Sequence, residues 1–276
     1  MNKLKKSSPY NILTMLALIL LALSFLFPLY WIITGSFKSQ MVAVSATPAW
    51  FPLEPTVDNY IRLFKNPAVK WLTNTVFVSL ASMVLVLLTA SLAGYTLAKK
   101  RFYGRAFVFA LIIASMALPK QVVLVPLVRI MDFLKLSDNP WAVILPTVGW
   151  PFGIFLMKQF SESIPNEVLE SARIDGAGEL RTFVSIVTPI IKPAFGALGI
   201  FTFINTWNDY FLQLIMLRSR ANLTISLGIA TLQSEYATNY GLQMAGAALG
   251  SIPIILIFIF FQKYFTQGIT MGAVKG

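Results

Sequence analysis

The stretch PNEVLESARIDGAGELRTFVSIVTPIIKP, residues 165–193, is a charged, glycine-punctuated insert in an otherwise oily chain. Apolar runs flank it on both sides, so it is the piece that water and other proteins reach. Residues 165–175 suit a short helix, because Pro165 is tolerated in a first turn and Glu167 and Glu170 sit toward the positive end of the helix dipole. Gly176 and Gly178 stop that helix. From Glu179 a second short helix is predicted, on which Leu180, Phe183, Val184 and Val187 recur at i, i+3, i+4 and i+7 and share one apolar face that needs burial. Pro189 and Pro193 then end this helix or bend the chain into the next apolar run.

The composition points the same way. Hydrophobic residues make up 57% of the 276 and charged ones 12%, with a mean hydropathy of +0.72. A soluble fold of that composition has too little polar surface to cover itself, so its solvent is largely lipid. The net charge of +11 lies in short loops beside apolar runs rather than on an extended basic face. That distribution speaks for an inside-positive membrane topology and against nucleic acid. The absence of Cys and His excludes disulfides, thiol chemistry and the commonest general base and metal ligand. No catalytic residue, metal site or cofactor is expected.

Working outward from the insert, the expected fold is all-α: a single polytopic membrane domain over residues 1–276, with six transmembrane helices at about 11–33, 72–98, 106–128, 141–157, 190–217 and 244–265. The first run is too long for the apolar core of a signal peptide and lacks a convincing cleavage site, so it is expected to stay as a span. Residues 35–71, rich in Pro and aromatics, form an ordered loop outside the lipid. The cluster Lys99, Lys100, Arg101 and Arg105 holds the end of the second span in the cytoplasm. Lys120, beside Pro119 in the third run, either snorkels to the outer interface, the preferred reading, or faces a water-filled path. In the fourth, Pro146, Gly149, Pro151 and Gly153 loosen the helix, and Lys158 marks its cytoplasmic end. Gly246 and Gly250 in the last permit close helix contact. Both termini fall in the cytoplasm, with 13 of the 22 Lys and Arg residues on that side.

On the fifth span Thr202, Asn205, Thr206, Asp209 and Gln213 fall within an arc of roughly 100° on one helical face. Such a stripe serves either as hydrogen-bonding glue between helices or as the lining of a path for a polyhydroxylated solute. No phosphate-binding G-x-x-x-x-G-K-[ST] loop occurs, so energy from ATP has to come from another chain. An intramembrane enzyme is disfavoured by the missing His and the absence of a G-x-S-x-G elbow or a close carboxylate pair. An ion-gradient-driven secondary transporter of a polar solute is the alternative; Asp209 is its only candidate carboxylate in a span, and no inverted repeat is evident.

The insert also carries Glu170-Ser171-Ala172, then Gly176 after three residues, then Ile186 and Pro189. This pattern resembles the cytoplasmic loop of the permeases of ATP-binding-cassette (ABC) importers, Glu-Ala-Ala, Gly and Ile-x-Leu-Pro, with Ser171 and Thr188 departing from it. Further stretches resemble the carbohydrate-importer branch of the maltose type, in family order: FPLYWIITGSFK (27–38), VDNYIRLF (57–64), AGYTLAKKRFYGR (93–105), TWNDY (206–210) and the tail QKYFTQGITMGAVKG. The resemblance implies an importer in a bacterial or archaeal cell membrane. It implies a coupling loop at 165–189 that docks on an ATPase subunit through Glu170, Ser171, Ala172, Asp175, Gly176, Leu180, Phe183, Val184 and Val187. It also implies a translocation path bordered by the region of Trp207 and Asn208. The partners implied are a second, similar but non-identical permease subunit, an ATP-binding ABC subunit dimer, an extracytoplasmic solute-binding protein and a carbohydrate substrate.

Overall fold

In a computed structural model of the chain, residues 9–235 and 239–273 are described, and all regular structure among them is helical. Lys3, Lys5, Lys6 and Lys275, counted above as cytoplasmic charges, lie outside the described residues, as does the end of the tail motif. Three helical stretches are long and apolar enough to cross a membrane, Ile12–Ser36, Ala68–Lys99 and Tyr240–Lys263. Three bent pairs bring the number of spans to as many as six. The chain is a polytopic α-helical membrane protein. It divides into two units, residues 1–68 with 229–251 and residues 69–228 with 252–276.

In the first unit, the loop expected after the first span is ordered by its backbone. Short helices form at Gln40–Ala43 and Asp58–Phe64. The buried Asn59 amide donates to the Ser36 and Lys38 carbonyls at 2.9 and 2.8 Å, and Thr56 N–H donates to Phe37 O at 2.8 Å. Lys38 is buried yet satisfied: its ammonium donates to Ala49 O at 2.5 Å and lies 4.1 Å from the Trp31 ring centroid. Gly246 is a point of close approach, because a Cβ there would lie 2.6 Å from Ile229 Cγ1.

In the second unit, the expected third, fourth and fifth spans are all interrupted. The third is two helices, Arg105–Ser115 and Lys120–Phe133, bent by 104°. Pro119 stands at the break, where its missing N–H and fixed φ suit the start of a helix and not its interior. The fourth bends by 41° between Trp141–Thr147 and Pro151–Glu162, with Pro151 at the first position of its second half. That half continues a turn past Lys158. Lys158 itself is buried, pairs with Glu162 at 2.6 Å and lies 4.2 Å from the Phe109 ring centroid.

The fifth span begins with an 81° turn between Glu179–Ile190 and Lys192–Trp207. It was expected to run unbroken to residue 217, but the helix ends at Trp207. A new helix, Tyr210–Met216, starts behind Asp209, whose Oδ1 accepts the Leu212 N–H at 3.3 Å. An Asp cap satisfies an orphan N–H at a helix start, so Asn208-Asp209 reads as a boundary rather than as mid-helix sequence.

The connection after Met216 is stapled from two sides. Asp138, at positive φ, accepts from Arg218 N–H at 2.8 Å and Ser219 N–H at 3.0 Å, and Asn222 donates to the Asp138 carbonyl at 2.6 Å. Trp71 Nε1 donates to Arg220 O at 2.7 Å, and the Asn74 amide to Ala221 O and Leu223 O at 2.8 and 2.9 Å. Burial pushes the Asp138 carboxyl up, but hydrogen bonds from Ser219, Arg218 and Asn222 outweigh it and leave the group below the usual carboxylate range.

Candidate functional site

The insert forms two short helices, as its sequence predicts. The first, Asn166–Ile174, ends in a Schellman turn: Gly176 has φ +77°, its N–H bonds Arg173 O at 3.0 Å, and Ala177 N–H bonds Ala172 O at 2.9 Å. Gly178 precedes the second helix, Glu179–Thr182, which widens into a π-helical turn over Phe183–Val187 ahead of Pro189. A proline removes an N–H and crowds the carbonyl four residues back, and a wider turn relieves both.

That turn divides the four residues expected to share one face. Phe183 and Val187 are buried in the chain's own core with Tyr95, Met157, Ile164, Leu169 and Ile191, the Phe183 and Tyr95 ring centroids being 5.4 Å apart. Leu180 and Val184 are 71% and 56% exposed. Anchor and presented surface are thus different residues of one short segment. Ala172 is buried beside Leu169, while Glu170, Ser171 and Asp175 are exposed on the first helix.

The base of the insert is clamped to the second span. Lys99 Nζ donates to Ile164 O at 2.5 Å and to Asn166 Oδ1 at 3.1 Å. Lys100 pairs with Glu179, which Arg173 also approaches at 3.5 Å. The lysines that the sequence marks as topological signals also hold the loop in position.

The polar stripe resolves into two sets. Thr202, Asn205, Thr206 and Asp209 line a cavity of about 400 Å³. Gln213 does not: it is fully buried, donates to Thr206 O at 2.8 Å and bonds the Thr224 hydroxyl at 2.5 Å, which is the glue role. Asn208 also stands outside the cavity wall, its amide donating to Ile204 O at 3.0 Å.

The remaining wall comes from residues that sequence reasoning missed, among them Ser115, Gln121, Gly149, Trp150 and Pro151. Lys120 belongs to it as well, 3.4 Å from Asp209 Oδ2. Three of the helix breaks of this unit, at Pro119, Gly149-Trp150 and Asp209, contribute residues to the cavity, whereas the 81° turn at Ile191 does not. Broken backbone at membrane depth is tolerated where it lines a cavity, because the freed groups are solvated there. The prolines and Asn208-Asp209 were the available signal.

The chain is thus a helical membrane protein with a cavity at its helix breaks and an anchored loop that presents two apolar side chains. Residues 87–271 match the family described as the binding-protein-dependent transport system inner membrane component. The chain belongs to that family, and as its permease component it is not itself catalytic. It is 37% identical over 273 residues to the arabinooligosaccharides transport system permease protein AraQ of Bacillus subtilis (strain 168), covering 98% of this chain and 97% of that protein. It is 34% identical over 272 residues to the maltodextrin transport system permease protein MdxG of the same organism, covering 96% of each. The fold is also that of a chain in the crystal structure of a bacterial ABC transporter that imports the acidic polysaccharide alginate. The TM-score is 0.82 at 24% identity, over 96% of this chain and 100% of that one.

Proposed function

We propose that this chain is one permease half of an ATP-driven importer that moves a carbohydrate, delivered by an extracytoplasmic binding protein, through the cavity at Lys120 and Asp209. It pairs with a similar but non-identical permease subunit and docks an ATPase dimer through residues 165–189. The carbohydrate class is supported by the names of AraQ and MdxG, permeases of arabinooligosaccharide and maltodextrin transport systems, and by the hydroxyl and amide lining of the cavity. The docking role is carried by one observation: Leu180 and Val184 stand exposed on a segment fixed from beneath by Phe183 and Val187. An apolar pair on a rigid support in the charged, water-facing insert suits insertion into a groove of a partner protein.

Changing Leu180 and Val184 together to Ser tests this. Neither packs in the core, so membrane abundance stays at the unaltered level, while truncating two interface anchors weakens ATPase association by about tenfold or more and uptake falls with it. Unchanged co-purification of the ATPase subunit with the double variant would overturn the docking role. Uptake that survives removal of the ATPase but collapses with the proton or sodium gradient would replace the importer by a secondary transporter.

The topology follows the same frame. Reporter fusions at Lys100 and Gly178 will report cytoplasm, and fusions at Pro55 and Gln233 the outside. An external signal at Gly178 would place the loop where no ATPase reaches it.

A further inference from the structure

The cavity wall holds two ionisable side chains among its described residues, Lys120 and Asp209, and they are of opposite sign. From this charge balance we propose that the site selects an uncharged saccharide and rejects uronates, with Lys120 and Asp209 as its specificity-determining residues. The inference rests on the reading of this cavity as the translocation path.

The two charges are unequal in freedom. Asp209 is fixed: its side chain is 15% exposed, and its Oδ1 caps the following helix through Leu212 N–H. Lys120 is a loose arm, 61% exposed, and its 3.4 Å approach to Asp209 is longer than the 2.7–2.9 Å of a tight ammonium–carboxylate bond. Around this open pair the wall offers neutral groups with capacity to spare. Among the described residues, the Thr206 hydroxyl and the Asn205 amide, both on the cavity wall, have no protein hydrogen-bond partner. A hydroxyl that faces a cavity without a protein partner is free to bond what enters the cavity.

A sugar hydroxyl donates and accepts, so one diol bridges the pair, donating to Asp209 and accepting from Lys120, while neighbouring hydroxyls meet Asn205 and Thr206. No net charge is brought in. A uronate carboxylate instead competes with Asp209 for the single ammonium, and whichever carboxylate loses is left unpaired beside a like charge in a confined site. Discrimination comes from that repulsion as much as from the hydroxyl contacts.

The chain contains no Cys, so Thr206→Cys introduces its single thiol. In the assembled importer, with partner cysteines removed, the rate of labelling by methyl methanethiosulfonate is measured alone and with arabinotriose, maltotriose, raffinose or trigalacturonate at millimolar concentration. At least one neutral sugar is expected to slow labelling, with trigalacturonate needing at least about tenfold more for the same protection. Adding Asp209→Asn, which keeps the helix cap because Asn caps as well as Asp, makes the wall net positive and brings trigalacturonate to protection at the neutral sugar's concentration. Adding Lys120→Gln gives no such gain. Equal protection by trigalacturonate in the Thr206→Cys protein, or no gain from Asp209→Asn, overturns the charge selection and leaves the path intact. A thiol that does not label, or that no saccharide protects, overturns the path itself.

Discussion

Gly94→Leu will remove this protein from the membrane. Gly94 lies in the Ala68–Lys99 helix where it crosses the second half of the fourth span, and a Cβ there would sit 2.7 Å from both Lys158 N and Met157 Cβ and 2.8 Å from the Met157 carbonyl carbon. Two of those atoms are backbone, so relief requires the helices to move apart rather than a side chain to rotate. Met157 is fully buried beside Tyr95, Phe183 and Val187, so separation would also open the core that anchors the insert. Overpacking typically costs 1–3 kcal/mol, and a leucine directed at a helix backbone belongs at or beyond the upper end of about 3 kcal/mol. Gly94→Ala is expected to accumulate at reduced level and to melt several degrees lower in detergent. Gly178→Ala is the control, since that glycine has φ −67° and open space where its Cβ would be. Immunoblotting of membranes and thermal melting of the solubilised complex read both effects. A Gly94→Leu protein with unaltered abundance and melting would mean that the two spans do not meet at this residue.

Gly176→Val separates in the opposite sense: the protein will insert and accumulate, yet lose transport. Nothing lies within 4 Å of a Cβ at this position, so the variant meets no steric clash. It meets the backbone instead. At φ +77° a residue bearing Cβ is strained by about 1–2 kcal/mol, and a β-branched one by more. The chain relieves this by abandoning the Schellman turn, which sets the angle between Asn166–Ile174 and Glu179–Thr182. Leu180 and Val184 then no longer point where the ATPase expects them, while the spans keep their packing. Uptake is expected to fall at least about tenfold at normal membrane abundance, in line with loss of an interface anchor. Gly176→Asn should restore part of it, because Asn tolerates left-handed backbone better than other residues with a Cβ. Normal uptake and ATPase association in the valine variant would show that the turn's geometry is not read by the partner; loss of the protein from the membrane would make the glycine a folding residue.

These two glycines mark how far the chain is legible before it folds. Gly176 announces itself, because a glycine closing a charged short helix has a local reason to adopt positive φ. Gly94 does not, since its reason lies in a different helix, around Met157 and Lys158. The same division runs through the insert: a period of i, i+3, i+4, i+7 placed Leu180, Phe183, Val184 and Val187 together, but which two would be claimed by the chain's own core depended on Tyr95 and Ile191 being opposite. It recurs in the fifth span, where helical periodicity assumed an unbroken axis and Asp209 capped a new helix instead.

By itself the sequence determined what depends on composition and local pattern. Apolar runs of spanning length, prolines inside the runs, and a charged insert with a glycine-closed helix are sufficient for a helical polytopic membrane protein with an exposed loop, because hydrophobicity, proline geometry and helix termination act over a few residues. The tertiary structure decided everything that needed a partner from a distant part of the chain. It set Lys120 beside Asp209, separated Gln213 as glue from Thr206 as lining, and buried Phe183 while leaving Leu180 outside. A side chain's periodicity fixes the direction in which it leaves its own helix; whether lipid, water, a carboxylate or another backbone lies in that direction is settled only when the helices have packed.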